Sequence, residues 1–230
     1  MLEKTIVALD QMNEEEIFRF LAKTPKNLTT VKVGLEAYLK YGPMLINDIY
    51  NNFQKDIFLD LKLHDIPVTV AKAIDSLKGL PIRYLTIHLG GGLQMLKLAQ
   101  EHANISLPQT KLLGVSFLTS LSEDDLKEIY GITNKDEAFL RLFKLASLSK
   151  IAGVINSPME IELLKKHYPE LISITPGIRF EDEIKADVIQ DQKRVLSPKE
   201  ALRLGADFLV IGRSLTKAED LGKRLTQLND

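Results

Sequence analysis

Short β-rich runs alternate with stretches of helical apolar spacing along the whole chain. Thr5-Ile6-Val7-Ala8-Leu9 is the first run and ends at Asp10. Asn13 stands at an N-cap before a helical pattern carrying Ile17, Phe18, Phe20 and Leu21, since an Asn side chain accepts from the free amides of a first turn. Thr30 to Gly34 is a second strand, followed by a helix with Leu35, Tyr38, Leu39, Leu45, Ile46 and Ile49 at helical spacing. The stretch from Asp56 to Pro67 supplies the third strand, and Val68 to Leu77 the third helix. Tyr84 to His88 is the fourth strand, after which Gly90-Gly91-Gly92 turns into a helix from Leu93 to His102. Lys111 to Leu118 is the fifth strand; a short insertion around Glu123 to Tyr130 precedes a helix from Asp136 to Ser147. Gly153 to Ile155 is the sixth strand, with Pro158 opening its helix. Leu171 to Thr175 is the seventh, Phe208 to Ile211 the eighth, and a last helix runs from about Lys217 to Leu228.

Strict alternation of strands and helices argues for parallel strands joined by right-handed crossovers. Eight such units without a linker or repeat predict an α/β fold, a (β/α)8 TIM barrel filling residues 1–230 as a single domain. An open doubly wound sheet is the rival.

The third strand carries the densest chemistry. Leu59, Leu61 and Leu63 alternate with Phe58, Asp60 and Lys62, so a carboxylate and an ammonium share one face roughly 6.6 Å apart along the strand. Asp65 follows the strand end, and Pro67 suits the first position of the next helix. The pattern Asp-x-Lys-x-x-Asp thus places two carboxylates around one lysine. In a barrel, chemistry sits at the C-terminal strand ends. Polar residues collect there: Asp10, Lys32, Asp60, Lys62, Asp65, His88, Ser116, Thr119, Asn156, Arg179 and Arg213.

Charge and composition narrow the partners. Thirty basic against 31 acidic side chains give a net charge of −1, which offers no basic excess to nucleic acid or an anionic membrane. There is no cysteine, hence no thiolate chemistry and no disulfide. No apolar run approaches the roughly 18 residues that span a bilayer, and the N-terminus runs straight into a strand without a signal pattern. The expectation is a cytoplasmic protein.

Within the strands, Lys32, Asp60 and Lys62 are costly to bury unless they pair. One reading is a structural salt-bridge array at the barrel rim; Asp65 alone reads as a helix cap. The other is a site. Flanking carboxylates hold Lys62 as an ammonium, which suits a proton donor or electrostatic anchor and not a Schiff base. A divalent ion between Asp60 and Asp65 would be repelled by that ammonium, so a metal ranks lower. The loops after strands seven and eight, Pro176-Gly177-Ile178-Arg179 and Gly212-Arg213-Ser214, resemble phosphate loops. Glycine lets amides approach an anion, and Arg213 offers a bidentate fork. Each alone reads as a turn with a surface arginine. Phe180 to Arg194 is a polar excursion that reads as a surface loop or a lid, with Gln192 its best ligand-reading group. His64 is turned away from Lys62 by strand alternation, and His88 reads as structural.

Taken in order, Asp60-Leu61-Lys62-Leu63-His64-Asp65-Ile66-Pro67, Thr175-Pro176-Gly177-Ile178-Arg179, Asp191-Gln192-Lys193-Arg194 and Gly212-Arg213-Ser214 resemble the orotidine 5′-phosphate decarboxylases of the short bacterial type, over essentially the whole chain. The resemblance implies that Lys62 protonates C6 of the pyrimidine as carbon dioxide leaves. Lys32, Asp60 and Asp65 would complete an alternating charge network, with Asp65 and Thr69 reaching into a neighbouring subunit's site. Asp10 and Lys32 would contact the ribose, Thr119 the ring, and Arg179, Gln192, Gly212 and Arg213 the phosphate; Ile66 and Pro176 join them as implied substrate contacts. It further implies a homodimer that needs no metal or cofactor. One departure is the presumed lid, Phe180 to Asp187, which is charged and lacks glycine. The neighbouring alternatives are a magnesium-dependent sugar-phosphate decarboxylase, which would carry an acidic residue near Lys32, and a non-catalytic phosphate-ligand-binding barrel.

Overall fold

A computed structural model describes residues 1–185 and 195–228. Eight parallel strands close into a barrel in sequence order: β1 Thr5–Ala8, β2 Thr30–Gly34, β3 Asp56–Leu63, β4 Ile82–His88, β5 Lys111–Val115, β6 Gly153–Ile155, β7 Ile172–Thr175 and β8 Phe208–Ile211. Closure, through pairing of β1 with β8, disposes of the open-sheet rival. β5 stops at Val115, short of Leu118, and frees Phe117 to Thr119 to bend over the barrel mouth.

Period-two alternation sorts the apolar residues into two cores. Ile6, Ala8, Phe58, Tyr84, Leu113, Ile174 and Val210 pack together inside the barrel, where Phe58 meets the Tyr84 ring edge-on at 6.1 Å between centroids. The intervening positions, among them Val7, Val31, Val33, Ile57, Leu59, Leu85 and Ile87, pack outward against the helices. Such a plugged interior leaves space for a ligand only at the ends of the strands.

The helices begin where the capping chemistry says they should. Asn13 Oδ1 accepts from Glu16 N at 2.9 Å while Glu16 returns a bond to Asn13 N at 2.8 Å, a capping box that opens α1 (Glu14–Leu21). The stretch expected as an insertion is itself a helix, Glu123–Tyr130, opened by a capping box in which Asp125 plays the acidic part for Ser122. The last helical region is two pieces, Arg213–Thr216 and Leu221–Gln227.

Two local departures matter. The helix after β2, α2 (Leu35–Phe53), is kinked: Gly42 takes φ 64° before Pro43, because proline disfavours helical backbone at the residue before it. Leu45, Ile46 and Ile49 beyond the kink are buried, whereas Leu35 and Leu39 before it are 52% and 75% exposed. In β3, the pairing with β4 steps from Leu59↔Leu85 to Leu63↔Ile87. Four residues of β3 are thus spent against two of β4, and the slack is taken up by Lys62 at φ 50°. A bulge of this kind re-aims side chains next to a site.

Candidate active site

Strand register brings the charges together. Ala8 pairs with Lys32 and Gly34 with Asp60, so the C-terminal ends of β1, β2 and β3 stand side by side. Lys32 Nζ donates to both Asp10 carboxylate oxygens at 2.8 Å and lies 3.5 Å from Asp60 Oδ2. The same Asp60 oxygen accepts from Lys62 Nζ at 2.7 Å. The order in space is therefore Asp10, Lys32, Asp60, Lys62, with alternating sign. Gly34 makes the first pair sterically feasible, since a Cβ there would fall 2.5 Å from Asp10 Oδ1.

Exposure grades along this row. The Lys32 and Asp60 side chains keep about 10% of their surface, while Lys62 keeps 40% and Asp10 51%. The buried middle supports more solvent-facing ends. Burial pushes the Asp60 carboxyl up, but the Lys32 and Lys62 charges and the hydrogen bonds from Lys62 and Thr86 outweigh it and hold the group below the usual carboxylate range. Asp60 is thus a fixed anion that keeps two ammonium groups at the cavity floor.

A cavity of about 320 Å³ opens above them. Asp10, Lys32, Asp60, Lys62, Thr119, Pro176, Arg179, Gly212 and Arg213 all line it. Its remaining walls include the apolar Phe58, Val115, Phe117, Leu118, Ile155 and Val210. The lining therefore combines a charged row, apolar walls that would suit a flat ring, and two guanidinium groups. The arginine loops are built by backbone. Gly177 turns at φ 80°, after which Arg179 N donates to Leu196 O at 3.1 Å and Leu196 N to Gly177 O at 3.3 Å. This bridge ties together the two chain segments flanking residues 180–195. Arg213 begins the short helix that follows β8 and Gly212.

Three expected residues lie elsewhere. Asp65, Ile66 and Thr69 are exposed beyond the end of β3, at the start of α3 (Pro67–Asp75). The expectation of two carboxylates around Lys62 needs correcting for a single chain: Asp60 pairs with it, whereas Asp65 accepts from Ile66 N at 2.6 Å. The helix is capped at Ile66 without a side-chain bond, so Asp65 is no conventional cap either. Gln192 lies outside the described residues. Ser116 and Asn156 are buried and bonded to Ile155 O and Ser173 Oγ. His88 stacks on His64 at 4.9 Å between centroids.

Two residues escaped the sequence reading. Gln11, at φ 56°, lines the cavity beside Asp10. Thr86, fully buried in β4, donates to Asp60 Oδ1 at 2.9 Å and accepts from Lys62 N at 2.8 Å. Its signal was present: it shares a face with Tyr84, where strand alternation puts a hydroxyl inside the barrel.

The chain is similar to known proteins over nearly its whole length. A family model described as orotidine 5′-phosphate decarboxylase / HUMPS matches residues 3–228. The orotidine 5′-phosphate decarboxylase of Fusobacterium nucleatum is 40% identical over 226 residues, spanning 97% of this chain and 93% of the relative. That of Opitutus terrae is 41% identical over 217 residues, spanning 94% and 92%. A crystal structure of orotidine 5′-phosphate decarboxylase from Lactobacillus acidophilus superposes with a TM-score of 0.83 at 34% identity, covering 98% of this chain and 96% of that one.

Proposed function

We propose that this chain, which belongs to the orotidine 5′-phosphate decarboxylase / HUMPS family, converts orotidine 5′-phosphate to UMP and carbon dioxide. The observation that carries the reading is one cavity holding both the Asp10–Lys32–Asp60–Lys62 row and the two arginines. A charged row without the arginines would have no grip on a phosphate. Arginines without the row would bind and do nothing.

The reaction breaks the bond between C6 and its carboxylate, leaving the electron pair on C6 as carbon dioxide departs. A carbanion of this kind needs a cation beside it and then a proton. Lys62 Nζ supplies both: its N–H bond breaks as the C6–H bond forms, and solvent reprotonates the amine. Asp60 holds that ammonium in place through its hydrogen bond. Arg179, Arg213 and the Gly212 backbone hold the phosphate, with Pro176 packing beside it and Gln192 as a further phosphate contact. Asp10 and Lys32 take the ribose hydroxyls and Thr119 the pyrimidine edge. Phosphate binding far from C6 contributes to the rate where it draws the chain closed over the ring.

Asp65, Ile66 and Thr69 then serve the site of a second copy, making the working unit a homodimer of single-domain barrels spanning residues 1–230. The same reading places the protein in the cytoplasm, in UMP biosynthesis. The family name covers a second activity; Lys32, bonded to Asp10 where the magnesium-dependent relatives would carry an acid, favours the decarboxylase. Lys62 supplies charge and proton by itself, so the chemistry calls for no cofactor. The test is loss of orotidine 5′-phosphate absorbance with chelator present. Turnover under those conditions is expected; none, or turnover only with magnesium, would overturn the assignment.

A further inference from the structure

We infer that Thr86 is a positioning residue: its hydroxyl fixes the bulged backbone of Lys62 and the roll of the Asp60 carboxylate, so that one oxygen of Asp60 faces both lysines. The inference rests on the reading of Lys62 as the proton donor, and it deepens that reading.

Lys62 sits at φ 50°, in the left-handed region that side chains other than Gly, Asn and Asp seldom adopt. Left-handed backbone at a functional residue persists only where the surroundings over-determine it. The register slip removes Lys62 N from the regular ladder between Leu59↔Leu85 and Leu63↔Ile87. Thr86 Oγ1 accepts from that amide at 2.8 Å. A hydroxyl has one proton to give, and here it goes to Asp60 Oδ1 at 2.9 Å.

The consequence is a division of labour on Asp60. Oδ1 is occupied by Thr86, leaving Oδ2 for Lys62 at 2.7 Å and Lys32 at 3.5 Å. Without the hydroxyl the carboxylate can roll between its two oxygens and the Lys62 backbone loses its partner. Thr86 is fully buried and does not line the cavity, so it touches no ligand and acts through its neighbours. The charged and titratable groups around Asp60 are Lys32 from β2, Lys62 from β3, Asp10 past β1 and His88 at the end of β4.

The test compares Thr86→Val, which keeps the shape and deletes the hydroxyl, with Thr86→Ser, which keeps the hydroxyl. For Val we expect kcat to fall about 10²-fold, the effect of roughly a 1 Å misplacement. KM should stay within about threefold, because the phosphate grip is untouched. Ser should recover kcat to within about fivefold of the parent chain. A second readout does not need turnover: the carboxyl carbon of Asp60, followed by ¹³C NMR, should titrate at higher pH in Val than in the parent and return in Ser, because a hydrogen bond to the charged form is lost. If the parent chain does not turn over orotidine 5′-phosphate, the functional assignment fails and the NMR comparison still decides Thr86. Unchanged kcat and titration in Val, or a Ser variant as impaired as Val, would overturn the inference. So would failure of both Val and Thr86→Ala to fold, which would make the hydroxyl a determinant of stability instead.

Discussion

Asp60 and His88 sit near each other and respond to burial in opposite ways. The carboxyl gains two ammonium neighbours that outweigh its desolvation and stays ionised below the usual range. The imidazole gains one carboxylate, which does not offset its burial and its cationic neighbours. Burial, then the charges of His64 and Lys62, lower His88 from 6.5 to about 4, with only Asp60 pulling the other way. Above pH 6.5 the residue is neutral whether the chain is folded or not. Below it, the unfolded chain takes up a proton that the folded chain refuses until about pH 4, so stability falls as pH drops through that window. His88→Phe keeps a ring against His64 and removes the titration. Urea midpoints measured from about pH 7 to about pH 5 should fall less steeply in that variant than in the parent chain. Equal slopes would mean that His88 is solvated well enough to titrate normally.

Among the elements, the β2–α2 junction shows how backbone shape reaches the chemistry. Gly34 is the last residue of β2, and its lack of a Cβ leaves room for the Asp10 carboxylate beside Lys32. In Gly34→Ala the new methyl would fall 2.5 Å from Asp10 Oδ1. That oxygen belongs to a half-exposed side chain, so it swings out while the strand stays in place. The expected result is a drop in kcat/KM of at least about tenfold, from loss of one oriented contact, with Tm moving by no more than about 2 °C. Unaltered kinetics would show that Asp10 works from another rotamer. The alternation that predicted β2 could not reveal this, because a glycine at a strand end reads equally well as an ordinary turn. Other features were legible for sound reasons: the eight strands by their β-rich runs, the charged row by lysine and aspartate standing where aliphatic residues dominate, and the arginine loops by their glycines. The bulge was not legible. It depends on how β3 pairs with β4, and nothing local to Lys62 announces φ 50°. Thr86 was legible as a hydroxyl facing the barrel interior, but its two partners on another strand were not. The kink of α2 could have been found: Pro43 marks the break, and a helix run straight through it puts the exposed Leu35 and Leu39 in one apolar series with the buried Leu45, Ile46 and Ile49.

At the scale of the whole molecule, four of the exposed apolar residues stand at the same end of the barrel as the misplaced site residues. Leu35 and Leu39 open α2, Ile66 and Val68 open α3, and each is more than half exposed. These helices follow the adjacent strands β2 and β3, on the side where Asp65 and Thr69 stand clear of their own cavity. An apolar surface beside unused polar groups suits a two-fold contact, in which each copy gives the other what it lacks. If Asp65 completes the partner's site, Lys62→Ala and Asp65→Ala should each be inactive alone yet repair each other when mixed. A heterodimer would hold one site with both lesions and one with neither. Random reassortment makes half the dimers mixed, so recovery should approach about a quarter of the parent activity. Co-refolding the two variants, followed by the absorbance assay and sedimentation, measures this directly. No recovery from a mixture that sediments as a dimer would place Asp65 outside the partner's chemistry. A monomeric parent chain with full activity would remove the shared site altogether, leaving Asp60 as the carboxylate that Lys62 answers to.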